Sequence, residues 1–107
     1  MLPRLGKAFP RLILIHWVEP KIPQIAQKAD MFGTVLVNCY IEPDGTTSNV
    51  HAVRITLDKT MDPANELAAK GLEDNAVEAV KQYKFKPSKK DGRPVRTELN
   101  VAIKFKR

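Results

Sequence analysis

Residues 95–105 read VRTELNVAIKF and form the clearest element of the chain. Their side chains alternate between an apolar set and a largely polar set. The apolar set is Val95, Thr97, Leu99, Val101, Ile103 and Phe105. Because successive side chains of a β-strand point to opposite faces, the alternation predicts a strand with one face on the core and the other in water. Such a strand needs neighbouring strands and a covering layer, which the preceding residues must supply.

The preceding residues supply four more predicted strands and two predicted helices. The strands fall at 12–18, 34–41, 46–55 and 85–87, and the helices at 23–30 and 72–83. A turn at Pro43-Asp44-Gly45 joins the second and third of these strands into a hairpin. The apolar residues of 46–55 do not keep period two, which indicates a β-bulge. The predicted fold class is α+β: a small antiparallel sheet packed on one face by two helices.

Residues 56–70 are the least readable stretch: Met61-Asp62-Pro63 suggests a turn, and residues 64–70 could add a helical turn. The main helix itself is expected to begin after Gly71, with Glu73 and Asp74 in its first turn. Residues 88–93 are expected to form a polar turn. The apolar residues fall on one face of each strand and on one face of this helix, which predicts that these faces pack together in a common core. That predicted core comprises Val35, Val37, Ile41, Val80, Leu99, Val101 and Phe105.

Length and charge limit the classes of protein that remain. The 107 residues fit a single domain at 12–107, preceded by an N-terminal tail at 1–11 that need not be ordered. The longest apolar stretch, at 12–18, is far shorter than the roughly 20 residues of a membrane span. The net charge is +6, and residues 81–107 alone carry +8. This basic end could meet an acidic peptide, an anionic surface or nucleic acid, or could serve only as a solvated face.

No motif of a catalytic or metal site is present. Cys39 is the single cysteine and falls at an inward strand position, which predicts an inert core thiol. The spacing of His16, His51 and Cys39 matches no metal site. We therefore expect no catalytic residue, no metal and no cofactor.

An ordered set of short motifs resembles the TonB C-terminal domain family. The first half contains Pro20-x-Ile22-Pro23-x-Ile25-Ala26, Gly33-Thr34-Val35 and Ile41-x-Pro43-Asp44-Gly45. The second half contains the run from Gly71 to Pro87, then Asp91-Gly92-Arg93-Pro94-Val95 and the closing strand. The resemblance covers about residues 12–107. The chain departs from the family at Ile22, where tyrosine is usual, and at Tyr83, where tryptophan is usual.

The resemblance implies a non-enzymatic, periplasmic energy-transducing domain. Such a domain binds the TonB-box peptide of an outer-membrane transporter by edge-strand addition and couples the inner-membrane proton motive force to transport. The implied partner-binding residues are Arg96, Thr97, Glu98, Leu99, Asn100, Val101, Ala102, Ile103 and Lys104. Secondary partner contacts are implied at Lys21, Ile22 and Pro23.

The resemblance also carries expectations about the whole protein. The inner-membrane proton-channel motor would be reached through an anchor in the inner membrane that is not part of this chain. Neither nucleic acid nor a small-molecule substrate is expected as a partner. The domain itself would be a monomer or a homodimer.

Two other function classes remain open. One is a generic cell-envelope interaction or sensor module of the same fold, which the sequence upstream of Met1 would distinguish. The other is a basic binder of nucleic acid or anionic surfaces. Nucleic-acid binding would need Phe85 and Phe105 to stack on bases, yet both fall at core positions. An enzyme is the least supported class.

Overall fold

A computed structural model of the chain describes residues 4–5, 13–59 and 62–106. Eight strands and two helices lie within these ranges, which confirms the α+β class. In chain order they are β1 (Arg4–Leu5), β2 (Ile13–His16), α1 (Gln24–Lys28), β3 (Gly33–Ile41), β4 (Thr47–Leu57), α2 (Pro63–Lys81), β5 (Lys84–Lys86), β6 (Ser88–Lys90), β7 (Arg93–Val95) and β8 (Thr97–Phe105).

The main sheet has four antiparallel strands in the order β1-β8-β3-β4. β3 and β8 pair without interruption, from Gly33 opposite Phe105 to Ile41 opposite Thr97. The alternation predicted for the last strand is confirmed, because Leu99, Val101, Ile103 and Phe105 are buried while the residues between them are exposed or half-buried. The final predicted strand thus lies in the main sheet with its apolar face on the core.

β4 is irregular, as the broken apolar period of residues 46–55 predicts. Its register against β3 shifts twice, and Val53 is the extra residue at one of the two shifts. Asn49, near the other shift, has a φ of 49°. Because a bulge turns the local side chains out of the alternating pattern, Val53 is 51% exposed although it is apolar.

The prediction that the main helix begins after Gly71 is wrong. α2 begins at Pro63, where Asp62 caps it by accepting a hydrogen bond from the Asn65 amide at 3.0 Å. Glu73 and Asp74 therefore lie in the middle of the helix rather than in its first turn. The interior glycine has a packing role, since a Cβ on Gly71 would lie 3.1 Å from Cγ of Pro23 at the start of α1. Its missing side chain lets the two helices approach closely.

Two turns use residues with positive φ. Gly45, at the tip of the β3–β4 hairpin, has a φ of 87°, and a Cβ there would lie 2.1 Å from the Phe85 carbonyl oxygen. The Phe85 amide donates to the Gly45 carbonyl at 2.9 Å, so this tip is attached to β5. The predicted polar turn at 88–93 is itself part of a hairpin, with Asp91 and Gly92 as the two loop residues between β6 and β7.

The predicted core is confirmed. All seven predicted residues are buried and belong to one apolar cluster. The large side chains of Tyr83, Phe85 and Met31 lie in the same cluster. The strand predicted at 12–18 appears as β2, which pairs with β5 rather than with the main sheet. Of the predicted tail at 1–11, only β1 lies inside the described residues.

Candidate functional site

The outer edge of β8 is the candidate site that the sequence analysis predicts. One edge of β8 is used along its whole length by β3. On the other edge, the described part of the chain pairs only at Val101 and Ala102, which lie opposite the two residues of β1. Residues 97–100 and 103–105 have no strand partner on this outer edge among the described residues. Within the described residues, the outer edge of β8 is thus paired at Val101 and Ala102 and unpaired at its other positions.

Side chains on the outward face of β8 tie this strand to β3. The Asn38 amide nitrogen donates to Oδ1 of Asn100 at 2.9 Å and to Oε2 of Glu98 at 3.2 Å. Asn38 and Asn100 are also direct partners in the strand register. This cross-strand network holds β8 in place on the side away from the core. An approaching strand would therefore meet a preformed backbone edge.

Arg96, predicted as the first partner-binding residue, precedes β8 and has an intramolecular partner. Its Nε donates to Oε1 of Glu42 at 2.9 Å, and its guanidinium lies 5.2 Å from the centre of the Tyr40 ring. Glu42 also accepts a hydrogen bond from the Ser48 hydroxyl. These two hydrogen bonds, the one from Ser48 first, lower the pKa of Glu42. Arg96 therefore contacts the β3–β4 turn through Glu42. The alternation of polar and apolar side chains along the sequence does not indicate this contact.

The three predicted secondary contacts lie beside α2. The Lys21 carbonyl accepts a hydrogen bond of 2.7 Å from the Asn75 side-chain amide. Ile22 is half-buried against the core, and Pro23 lies at the start of α1 against Gly71. The contacts described for this segment are thus with α2 and the core.

Exposed basic side chains cluster near the end of the chain. Lys89, Lys90 and Arg93 are exposed on the β6–β7 hairpin, and Lys104 and Lys106 are exposed at the end of β8. Lys84 and Lys86 are likewise exposed on either side of the buried Phe85. Phe85 and Phe105 are only 2% and 3% exposed, so neither ring can stack on a base. The basic surface can attract acidic groups but presents neither of these rings to nucleic acid.

The groups that could carry chemistry are dispersed or unreactive. Cys39 is fully buried, and burial raises the pKa of its thiol to about 11, so it stays protonated at neutral pH. His51 is exposed, and its Nδ1 lies 2.8 Å from the Asn49 carbonyl. His16 is exposed on β2. Among residues 4–5, 13–59 and 62–106, no cluster of three or more His, Cys, Asp or Glu side chains could hold a metal ion.

Neither α1 nor α2 is both long enough and apolar enough to cross a bilayer.

The fold and the site define a small α+β domain with a partly open strand edge. The sequence model described as "Gram-negative bacterial TonB protein C-terminal" matches residues 18–107. The chain therefore belongs to the TonB C-terminal domain family and is a TonB-type periplasmic domain.

Two individual proteins are similar to this chain. Protein TonB of Vibrio cholerae serotype O1 (strain ATCC 39315 / El Tor Inaba N16961) is 29% identical over 89 residues, which cover 83% of this chain. The match spans 32% of that relative's own length. The solution NMR structure of the Pseudomonas aeruginosa TonB CTD superposes with a TM-score of 0.63 at 20% identity, covering 95% of this chain and 93% of that one. The second comparison concerns the fold alone.

Proposed function

We propose that this domain binds an extended peptide, the TonB box of an outer-membrane transporter, along the outer edge of β8. The observation that carries the proposal is that, among the described residues, nothing pairs with this edge of β8 at residues 97–100 and 103–105, in a chain of the TonB family. By the same family membership, the domain would pass force from an inner-membrane proton-driven motor to the transporter. No step of this function requires a catalytic group.

Backbone pairing would supply most of the affinity. An exposed strand edge carries unpaired N–H and C=O groups that an extended peptide can satisfy as an additional strand. The strand that receives the peptide must itself be rigid. Here the unbroken pairing with β3 and the Asn38–Asn100 hydrogen bond hold β8 in position. β8 is therefore already ordered before a peptide arrives, so little conformational entropy of this strand would be lost on binding.

Charge would assist the encounter. Lys104 and Lys106 are exposed at one end of β8, and the basic β6–β7 hairpin is close to its other end along the chain. Basic groups at both ends favour a peptide that carries acidic residues. Electrostatic attraction of this kind raises the association rate more than it raises the final affinity.

Residue-resolved amide exchange tests the proposal directly. A synthetic TonB-box peptide from a transporter of the same genome is added to the full chain. We expect slower exchange for those amides at 97–100 and 103–105 that do not bond to β3, because they become ladder donors. The amides of Asp44 and Gly45, at the hairpin tip, should not change.

A matched peptide with proline at the alternate positions whose N–H groups would face β8 is the control, since it has no donor for the ladder. It should leave the exchange of β8 unchanged. Protection that appears along α2 while residues 97–105 exchange as before would show that the edge of β8 is not the binding site.

A further inference from the structure

The outer edge of β8 already has a short occupant from the same chain. β1 pairs antiparallel with β8, with Arg4 opposite Ala102 and Leu5 opposite Val101. We infer that β1 is a built-in competitor that a partner peptide must displace from β8. The competition rests on the proposed function, whereas the pairing of β1 with β8 can be tested without any peptide.

The position of β1 makes it an effective block. Val101 is the central residue of β8, which runs from Thr97 to Phe105. With β1 in place, the described part of the chain leaves open one stretch of four residues at 97–100 and one of three residues at 103–105. Neither stretch offers the five or six residues of a usual strand. An incoming peptide that pairs continuously with β8 must therefore remove β1.

The length of β1 makes it displaceable. Its pairing covers two residues of β8, whereas β3 pairs with all nine. A longer peptide strand would form several times as many backbone hydrogen bonds with the same edge. Since β1 is joined to the domain by the chain itself, it competes at a high effective concentration despite its short pairing. The arrangement would lower the affinity of every partner strand by the fraction of time that β1 is bound.

A reversible crosslink tests both parts of the inference. Arg4→Cys combined with Ala102→Cys places two thiols on directly opposed residues, whose Cα atoms in an antiparallel pair are about 4.5–5.5 Å apart. That separation lies within the range of a disulfide. The native Cys39 is fully buried and is not a competing thiol. We expect an intramolecular disulfide under mild oxidation, detected by the mass of the intact chain.

The crosslinked protein then tests whether β1 competes with the peptide for the edge of β8. Fluorescence anisotropy with the labelled TonB-box peptide should show at least about tenfold weaker binding in the oxidised form than in the reduced form, as expected if the open edge becomes unavailable. Because the two forms share the same substitutions, the Ala102→Cys change itself cancels. In the matched control, Arg4→Cys with Glu98→Cys, the second thiol is four residues along β8, about 13 Å away, and should not form the disulfide.

A second variant releases the edge instead of locking it. Arg4→Pro with Leu5→Pro removes both amide donors of β1, so the pairing with β8 is lost. The affinity for the peptide should rise severalfold, and the amides of β8 opposite β1 should exchange faster without peptide. Arg4→Ala with Leu5→Ala keeps both donors and should give a smaller change.

Failure of the inference is distinguishable from failure of the proposed function. An absent disulfide, or one that joins two chains, overturns the pairing of β1 with its own β8. A disulfide that forms but leaves peptide affinity unchanged overturns the competition alone. If no form of the protein binds the peptide, the reduced and proline variants included, the proposed function is overturned together with the competition.

Discussion

At the scale of single residues, Phe105 shows how much one side chain of β8 contributes to stability. Its ring ends the buried face of the strand and is 3% exposed. We expect Phe105→Ala to lower the free energy of unfolding by about 3–5 kcal/mol, because the substitution removes buried apolar area and leaves a cavity. Urea denaturation followed by circular dichroism measures this change.

Lys106→Ala is the matched control for Phe105→Ala. Lys106 is the next residue and is exposed, so its substitution should change stability by no more than about 0.5 kcal/mol. Unfolding of Phe105→Ala at the same urea concentration as the parent would remove Phe105 from the core.

At the scale of elements, the start of α2 depends on one capping residue. Asp62 accepts a hydrogen bond from the Asn65 amide, and Pro63 occupies the first turn, where its missing N–H costs nothing. We expect Asp62→Ala to lower the free energy of unfolding by about 1 kcal/mol, since the helix loses its cap. Thermal and urea unfolding both report this loss.

Asp62→Asn keeps an oxygen that can accept the same hydrogen bond and serves as the control. It should be close to the parent in stability, because asparagine caps helices about as well as aspartate. Equal destabilisation by the alanine and asparagine variants would mean that the charge of Asp62, and not its hydrogen bond, stabilises the start of α2.

The sequence predicted which side chains of these elements are buried more accurately than it predicted where the elements begin and end. The apolar positions of α2 are spaced correctly from Leu72 onward, but the helix begins nine residues earlier, at Pro63. A glycine inside a helix usually indicates a break, because it is a poor helix former. At Gly71 the contact with Pro23 and Ile25 outweighs that preference. The sequence contains no local sign of this contact.

At the scale of the whole molecule, the uneven charge should govern how fast an acidic peptide associates. Lys104→Glu with Lys106→Glu reverses two exposed charges at the end of β8. We expect a lower association rate at low salt with little change in the dissociation rate, and a difference that shrinks as salt rises because screening shortens the range of the field. Stopped-flow fluorescence at several salt concentrations measures both rates.

Lys28→Glu with Lys70→Glu makes the same change in net charge on α1 and α2 instead of at the end of β8, and is the control. It should slow association less than the pair on β8. An equal effect of the two pairs would mean that net charge alone, and not a basic end of the binding strand, attracts the peptide.

The candidate site was only partly predictable. The alternation of 95–105 identified β8 and its two faces, and the motif set identified the TonB family. Neither could show that Arg96 bonds to Glu42, since these residues lie 54 positions apart in the chain. The binding role of residues 96–104, with Lys21, Ile22 and Pro23 as secondary contacts, stays a prediction.

By itself, the sequence determined the α+β class, the buried faces of β3 and β8, and seven residues of the core. Side-chain periodicity is a local property, and the burial of an apolar face follows directly from it. Only the tertiary structure decided that β8 borders β3, where α2 begins and what pairs with the outer edge of β8. Backbone N–H and C=O groups are present at nearly every residue, so the sequence of neither segment alone indicates that Arg4 pairs with Ala102.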